Sequence, residues 1–253
     1  MTDPRPLGGP AAIWGFLRSL LIYFGRPGRA AAERRLYRQF VAAGDLVFDI
    51  GAHVGNRSRS LRDLGARVVA VEPQPRFADW LEWLFRAQPE VTVERCALSA
   101  SQGRARLSVS RLHPTLATLD STWQHQVAAA RGFSHVRWES EVEVPVETLD
   151  SLIARHGRPA FCKIDVEGHE AEVLSGLSTP IPALSFEYTP AVPAAAEGCV
   201  ARLEGLGRYR YAVSIGETLN LGAWLDAAGL RSWLAARRPT ERSGDIYAVQ
   251  ERS

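Results

Sequence analysis

The sequence predicts a doubly wound α/β fold whose sheet is mostly parallel, with an antiparallel C-terminal strand and helices ahead of the first strand. Short apolar, β-branched runs recur between stretches of helical period, which is the pattern of strand–helix–strand crossovers. Several of these runs are continuously apolar, as strands covered on both faces must be, and stop at a carboxylate followed by glycine or proline.

Residues 13–24 are apolar but broken by Gly15, Arg18 and Ser19, and they fall short of the roughly 20 residues that span a bilayer. Arg26, Pro27 and Arg29 come straight after it, which gives a signal peptide poor support. A helix docked on the protein body is expected, with membrane-surface contact and processing as the alternatives. Residues 30–42 read as a second helix, with Leu36, Phe40 and Val41 on one face and Gly44 ending it. The expected division is a helical extension over 1–43 and the main domain over 44–253.

From there strands at 45–49, 67–71 and 91–98 alternate with helices at 56–64 and 77–87, so right-handed crossovers and a parallel sheet follow. Residues 103–110 alternate in polarity and suit an antiparallel or edge strand. The stretch 111–141 has no clean period, and its Trp123, Phe133 and Trp138 either line a lid over an apolar substrate or pack in the core. Further strands are expected at 142–146, 160–166, 183–188, 209–215 and 245–250. Helices are expected at 148–156, 170–177 and around 223–235.

Composition narrows the class. Over 253 residues the hydrophobic fraction is 46% and the charged fraction 23%, ordinary for a packed soluble enzyme and not for a disordered or membrane chain. The net charge of +2 is too small to argue for nucleic acid, so no nucleic-acid partner is expected. Lys163 is the only lysine; the arginine excess reads as codon bias. Cys96, Cys162 and Cys199 have no CxxC spacing, which fits a reducing cytoplasm.

In open α/β sheets ligands bind beyond the carboxyl ends of the strands. The expected ends here are Asp49, Glu72, Ala97, Asp165 and Glu187. Asp49 runs into Ile50-Gly51-Ala52-His53-Val54-Gly55, a glycine turn before a helix that carries Ser58. A dinucleotide fingerprint would need glycine where His53 and Asn56 stand, and a diphosphate would avoid Asp49. A sulfonium and an ammonium would favour that carboxylate. Glu72, followed by Pro73, stands about 20 residues beyond the turn, where a carboxylate accepts hydrogen bonds from ribose hydroxyls.

The series DIGAHVGNRS, AVEPQP, CALS with Gly103, VETLDSL, KIDVEGHEAEVLSGL and SFEY resembles the FkbM family of methyltransferases over 46–188. The resemblance implies a class I methyltransferase, Rossmann-like sheet, S-adenosylmethionine as cofactor, and O-methylation of a sugar, polyketide or related metabolite. Residue by residue it assigns Asp49, Gly51 and Gly55 to the cofactor turn, with Ala52, His53, Val54 and Ser58 beside them. It assigns Glu72 and Pro73 to the ribose, Ala97 and Leu98 to the adenine side, and Asp165 to the fourth strand end. His53 departs from the family's more usual asparagine, and the residues after Glu187 depart from its histidine-containing form.

Methyl transfer to an alcohol needs alignment and a group that takes a proton. The candidates are His169, Glu167, Glu187 and His53, with His169 first because its place after Gly168 should face the sulfonium. Helix capping is an equal reading for Glu167 and His169. Lys163 and Asp165 project to one face of their strand as either a catalytic or a structural pair. His113, His125, His135 and His156 lack zinc spacing, and Asp165, Glu167 and Glu187 could hold magnesium, although no metal is expected. The partner expected is a small-molecule acceptor. Rival readings are a cofactor-binding protein without catalysis and a nicotinamide-dependent oxidoreductase.

Overall fold

The computed structural model describes residues 10–110, 117–119, 138, 140–216 and 218–251, so Trp123, Phe133, His113, His125 and His135 lie outside the described residues. Helices α1 (Pro10–Phe24) and α2 (Arg29–Tyr37) precede β1 (Leu46–Ile50); α3 (Asn56–Arg62) leads to β2 (Arg67–Val71), and α4 (Pro75–Phe85) to β3 (Val91–Glu94). Three further strands follow, β4 (Ala97–Leu98), β5 (Gly103–Val109) and β6 (Ser140–Glu147), then α5 (Leu149–His156) and β7 (Phe161–Ile164). The chain ends with α6 (Glu170–Ser175), β8 (Ala183–Tyr188), α7 (Pro193–Leu206), β9 (Tyr209–Ile215), α8 (Ala227–Ala235) and β10 (Gly244–Gln250).

Seven strands form the main sheet in the order β3-β2-β1-β7-β8-β10-β9. β10 runs antiparallel to both neighbours and the others are parallel, as expected for the C-terminal strand. Strand order reverses between β1 and β7, where outgoing loops diverge to opposite sides and leave a crevice.

Both faces of the sheet are covered, which explains the continuous apolarity of its central strands. Phe48, Ile50, Cys162, Ile164 and Phe186 pack towards Leu149, Leu152, Val173, Leu174 and Leu203 of three helices. On the opposite face Val47, Phe161 and Tyr247 meet Leu36, Tyr37 and Leu61. Phe40 stacks on Phe161 at 5.5 Å and on Tyr247 at 5.4 Å, so the chain after α2 is clamped to the sheet. A fully buried aromatic such as Phe161 contributes on the order of 3 kcal/mol by removal from water alone.

A buried carboxylate joins the first two layers. Glu33 of α2 accepts hydrogen bonds from Arg29 (3.0 Å), Asn56 (3.0 Å) and Ser60 (2.6 Å), with Arg57 at 3.8 Å. It therefore fixes the helix that follows the glycine turn.

The strand expected at 91–98 is two strands in two sheets. Arg95 reaches out to Asp79 at 2.6 Å and Glu82 at 3.1 Å, and beyond it Ala97 and Leu98 leave the main sheet to pair with Val146 and Glu147. The second sheet, β4-β6-β5, buries Ala97, Leu107, Val109, Val144 and Val146. Helix α7 was not expected from the sequence; its Pro193 opens the first turn, where a missing N–H costs nothing.

Candidate active site

The loop after β1 is held by its own backbone. The N–H groups of Gly51 and Ala52 both donate to the Val71 carbonyl, at 2.9 and 3.0 Å, which ties it to the end of β2. Gly51 has φ 80°, and a Cβ there would lie 1.9 Å from the Asp165 carbonyl oxygen. Glycine is required because the ends of β1 and β7 touch at this point. Gly55, at φ 82°, leaves room for Leu81 and Phe85 of α4, 2.6 and 3.1 Å from a notional Cβ.

Glu72 is buried at the end of β2 and accepts the N–H of His53 and of Gln74, both at 2.8 Å. Burial pushes its carboxyl up to about 7 against the pull of those N–H groups. The Gln74 side chain hydrogen-bonds to it as well, so of the roughly four acceptor positions of a carboxylate about one stays open. Glu72 opens onto a first cavity of about 550 Å³, lined also by Pro73, Gln74, Cys96, Ala97, Leu98, Leu107 and Leu119.

A second cavity of about 830 Å³ adjoins the first and shares Gly51, His53, Asp165 and Glu167 with it. It is polar, walled by Arg57, Lys163, Glu187, Asp245 and Tyr23.

Carboxylates crowd the junction. Asp165, Glu167 and Glu187 bring oxygens within 4.8 Å of one another, close enough to hold one divalent cation among them, with the Lys163 ammonium already 2.6 Å from Asp165. Burial opposes charge on Asp165, but the ammonium overcomes it and holds that carboxyl below its usual range. Glu167 and Glu187 are pushed well above theirs, by burial first and then by neighbouring carboxylates. Asp245 stands opposite Glu187 in the β8–β10 pairing and adds to that repulsion. Glu167 sits at φ 53°, and Glu170 holds its loop by accepting the N–H of Val166 (3.0 Å) and Gly168 (3.3 Å).

The site residues expected from sequence fall into three places. Gly51, His53, Glu72, Pro73, Ala97, Leu98, Asp165, Glu167 and His169 line the first cavity. Ala52 and Glu187 line the second. Asp49, Val54, Gly55 and Ser58 stand behind the turn: Ser58 donates to Asp49 at 2.5 Å, and the Val54 carbonyl accepts from Trp80 at 3.0 Å. His169 lies 3.1 Å from Ser99, on the Glu72 side of the junction and away from Glu187. His53 is packed 4.2 Å from the Phe77 ring, and burial lowers it to about 3. Its Nε2 is a buried atom with no hydrogen-bond partner among the described residues.

Sequence reasoning missed Tyr23, Arg57, Gln74, Glu170 and Asp245. Arg57 and Gln74 are neighbours of motif residues and were within reach. Tyr23 and Asp245 come from distant segments and carry no local signal.

The family profile described as the methyltransferase FkbM domain matches residues 49–194. The chain belongs to this family. It is 28% identical over 155 residues to the hexuronic acid methyltransferase AglP of Haloferax volcanii, covering 60% of this chain and 58% of that protein. It is 31% identical over 173 residues to ribosomal RNA small subunit methyltransferase A of Phenylobacterium zucineum, covering 65% and 56%. The chain thus spans somewhat over half the length of these two relatives. Among solved structures, a TehB-like S-adenosylmethionine-dependent methyltransferase of Corynebacterium glutamicum aligns with a TM-score of 0.48 and 10% identity, covering 95% of this chain and 98% of that one.

Proposed function

We propose that this protein transfers a methyl group from S-adenosylmethionine to a hydroxyl of a small, polar, sugar-like metabolite. The observation that carries the reading is the meeting of two cavities at Gly51, His53, Asp165 and Glu167, one fitted to a nucleoside and the other to a polar acceptor. The catalytic unit in this reading is 44–253, and the extension over 1–43 supports it through Glu33 and Tyr23.

The first cavity suits the cofactor. Glu72 keeps acceptor capacity for a ribose hydroxyl, while Ala97, Leu98 and Leu107 offer the apolar walls an adenine ring needs. S-adenosylmethionine supplies a methyl group already activated by its sulfonium. Asp165, kept charged by Lys163, places a negative charge at the junction where a cationic centre is favoured.

The second cavity suits a hydroxylated acceptor. Glu167 and Glu187, whose proton affinity burial and neighbouring carboxylates raise, are stronger bases for an alcohol proton than an ordinary carboxylate. Glu187 takes the role of base in this reading because it lines only the acceptor side. The hexuronic acid named for one relative supports a carbohydrate acceptor.

Calorimetry with S-adenosylmethionine against NADH tests the cofactor. A radiolabelled methyl assay on a panel of monosaccharides and uronic acids tests the acceptor. Binding of the sulfonium cofactor and label transfer to a sugar hydroxyl are expected; preference for NADH overturns the proposal, and cofactor binding without label transfer to any sugar overturns its acceptor half.

A further inference from the structure

We propose that α1 is an interfacial helix that seats this protein on an anionic lipid bilayer. The outward face of a docked helix is ordinarily polar. Here Ile13, Trp14, Leu17 and Leu21 all point outward, 46–68% exposed, in one stripe with Arg18. The helix is nonetheless firmly held on its inner side: Phe16 packs 5.5 Å from both Phe77 and Trp80, Ser19 is buried, and Tyr23 meets His53 at 5.5 Å. An apolar stripe on the free face of a fixed helix is a surface made for another apolar phase.

The patch continues onto α4, where exposed Trp83 stacks on Trp80 at 5.0 Å. Arg76 and Arg86 lie over the rings of Phe16 and Trp83, at 5.0 and 4.9 Å. Tryptophan beside arginine, at the edge of an apolar stripe, suits the headgroup level of a membrane. The helix lies on the membrane and does not cross it: at 15 residues it is roughly 22 Å long, and no described helix is long and apolar enough to span.

Charge selects the bilayer over a second copy of the chain. The first 40 residues hold seven arginines against Asp3 and Glu33, a net +5 in a chain whose total is +2. Arg18, Arg26, Arg35 and Arg38 are exposed. At the patch itself Arg18, Arg76 and Arg86 stand beside the apolar stripe while Asp79 and Glu82 are paired with Arg95, so a two-fold dimer through this face would set these arginines against one another, whereas anionic lipid neutralises them. Tyr23, at the end of the same helix, walls the second cavity, so docking holds that cavity beside the lipid surface.

The experiment is flotation of the full chain with phosphatidylcholine vesicles with and without phosphatidylglycerol. Flotation is expected with the anionic vesicles only, weakening as salt is raised. The double variant Leu17→Glu, Leu21→Glu should lose at least about tenfold in vesicle affinity and keep its affinity for S-adenosylmethionine. Trp14→Ser, a milder change, should weaken binding less and serves if the double variant does not fold. Absence of flotation, flotation unchanged in the folded variants, or a dimer in light scattering that the variants dissociate, overturns the proposal. Flotation without cofactor binding would overturn methyl transfer and leave the docking intact.

Discussion

Glu72 accepts the backbone N–H of His53 at 2.8 Å, so the carboxylate expected to hold a ribose also holds the glycine turn. In the proposed reading the same oxygens serve the loop and the ligand, and their charge state couples the two.

That coupling has a sign. Burial raises Glu72 from its ordinary 4.5 to about 7, and it raises Glu170 likewise to about 7. A carboxyl raised on folding contributes stability fully present below the unfolded value and lost as pH rises through the folded one. Without cofactor, these two carboxyls should lower unfolding stability between pH 4.5 and about 7 by on the order of a few kcal/mol, offset in part below pH 6.5 by His53, which burial lowers to about 3. Cofactor affinity should rise over the top of that window, because ionised Glu72 is the better acceptor. Denaturant melts and calorimetry across pH check both; a stability that climbs from pH 4.5 to 7 would contradict this assignment. Glu72→Ala should cost on the order of 2–4 kcal/mol in cofactor binding, roughly 30- to 1,000-fold.

The two glycines of the turn should differ in severity. Gly51→Ala drives a Cβ against the Asp165 carbonyl, a backbone atom that cannot move without parting β1 from β7, while Gly55→Ala meets the movable end of Leu81. Thermal melts should show the larger loss for Gly51→Ala, and Gly51→Val should fail to fold and not merely fail to bind cofactor. The reverse order of melting temperatures would show that the β1–β7 contact yields.

Replacing Glu187 by Gln keeps the shape and removes the proton acceptor. Single-turnover transfer should slow by roughly 100- to 10,000-fold with cofactor affinity nearly constant. In the unaltered protein the rate should rise with pH above the ordinary carboxylate range, because Glu187 and Glu167 are both raised. A Glu187→Gln protein with the same profile and most of its rate would move the base to Glu167 or dispense with one.

His169→Ala should behave differently. Its ring lies beside Ser99 on the cofactor side, so cofactor affinity should fall modestly while transfer at saturation stays within about tenfold of the original. A large loss of transfer rate with unchanged binding would restore His169 as the base.

Glu33→Ala strips a buried acceptor from Arg29, Asn56 and Ser60 together. On the order of 3–5 kcal/mol of stability should go, since a buried ion-pair partner and hydrogen-bond acceptor shared by three side chains is removed. Equilibrium unfolding measures it; a loss under about 1 kcal/mol would mean that water takes over the acceptor role.

The sequence by itself determined the alternation of strands and helices, the glycine turn, and the acids at strand ends. Those follow from local rules: apolar runs of strand length, glycine where φ is positive, and carboxylates where apolar runs stop. Hence 67–71, 183–188 and 209–215 stand as the sequence predicts them. Tertiary structure alone decided what each residue faces. Asp49 and Glu72 look alike in sequence, each an acid ending a strand, yet Asp49 is sealed against Ser58 while Glu72 opens onto the first cavity. Glu187 meets Asp245, 58 residues away, only because β10 inserts beside β8, and no local pattern encodes that pairing. The break after Glu94 was equally illegible, because Ala97 and Leu98 change sheets to satisfy a partner strand nearly 50 residues later. Local propensity sets which elements form; the side a residue faces is set by burial against segments the local sequence does not contain.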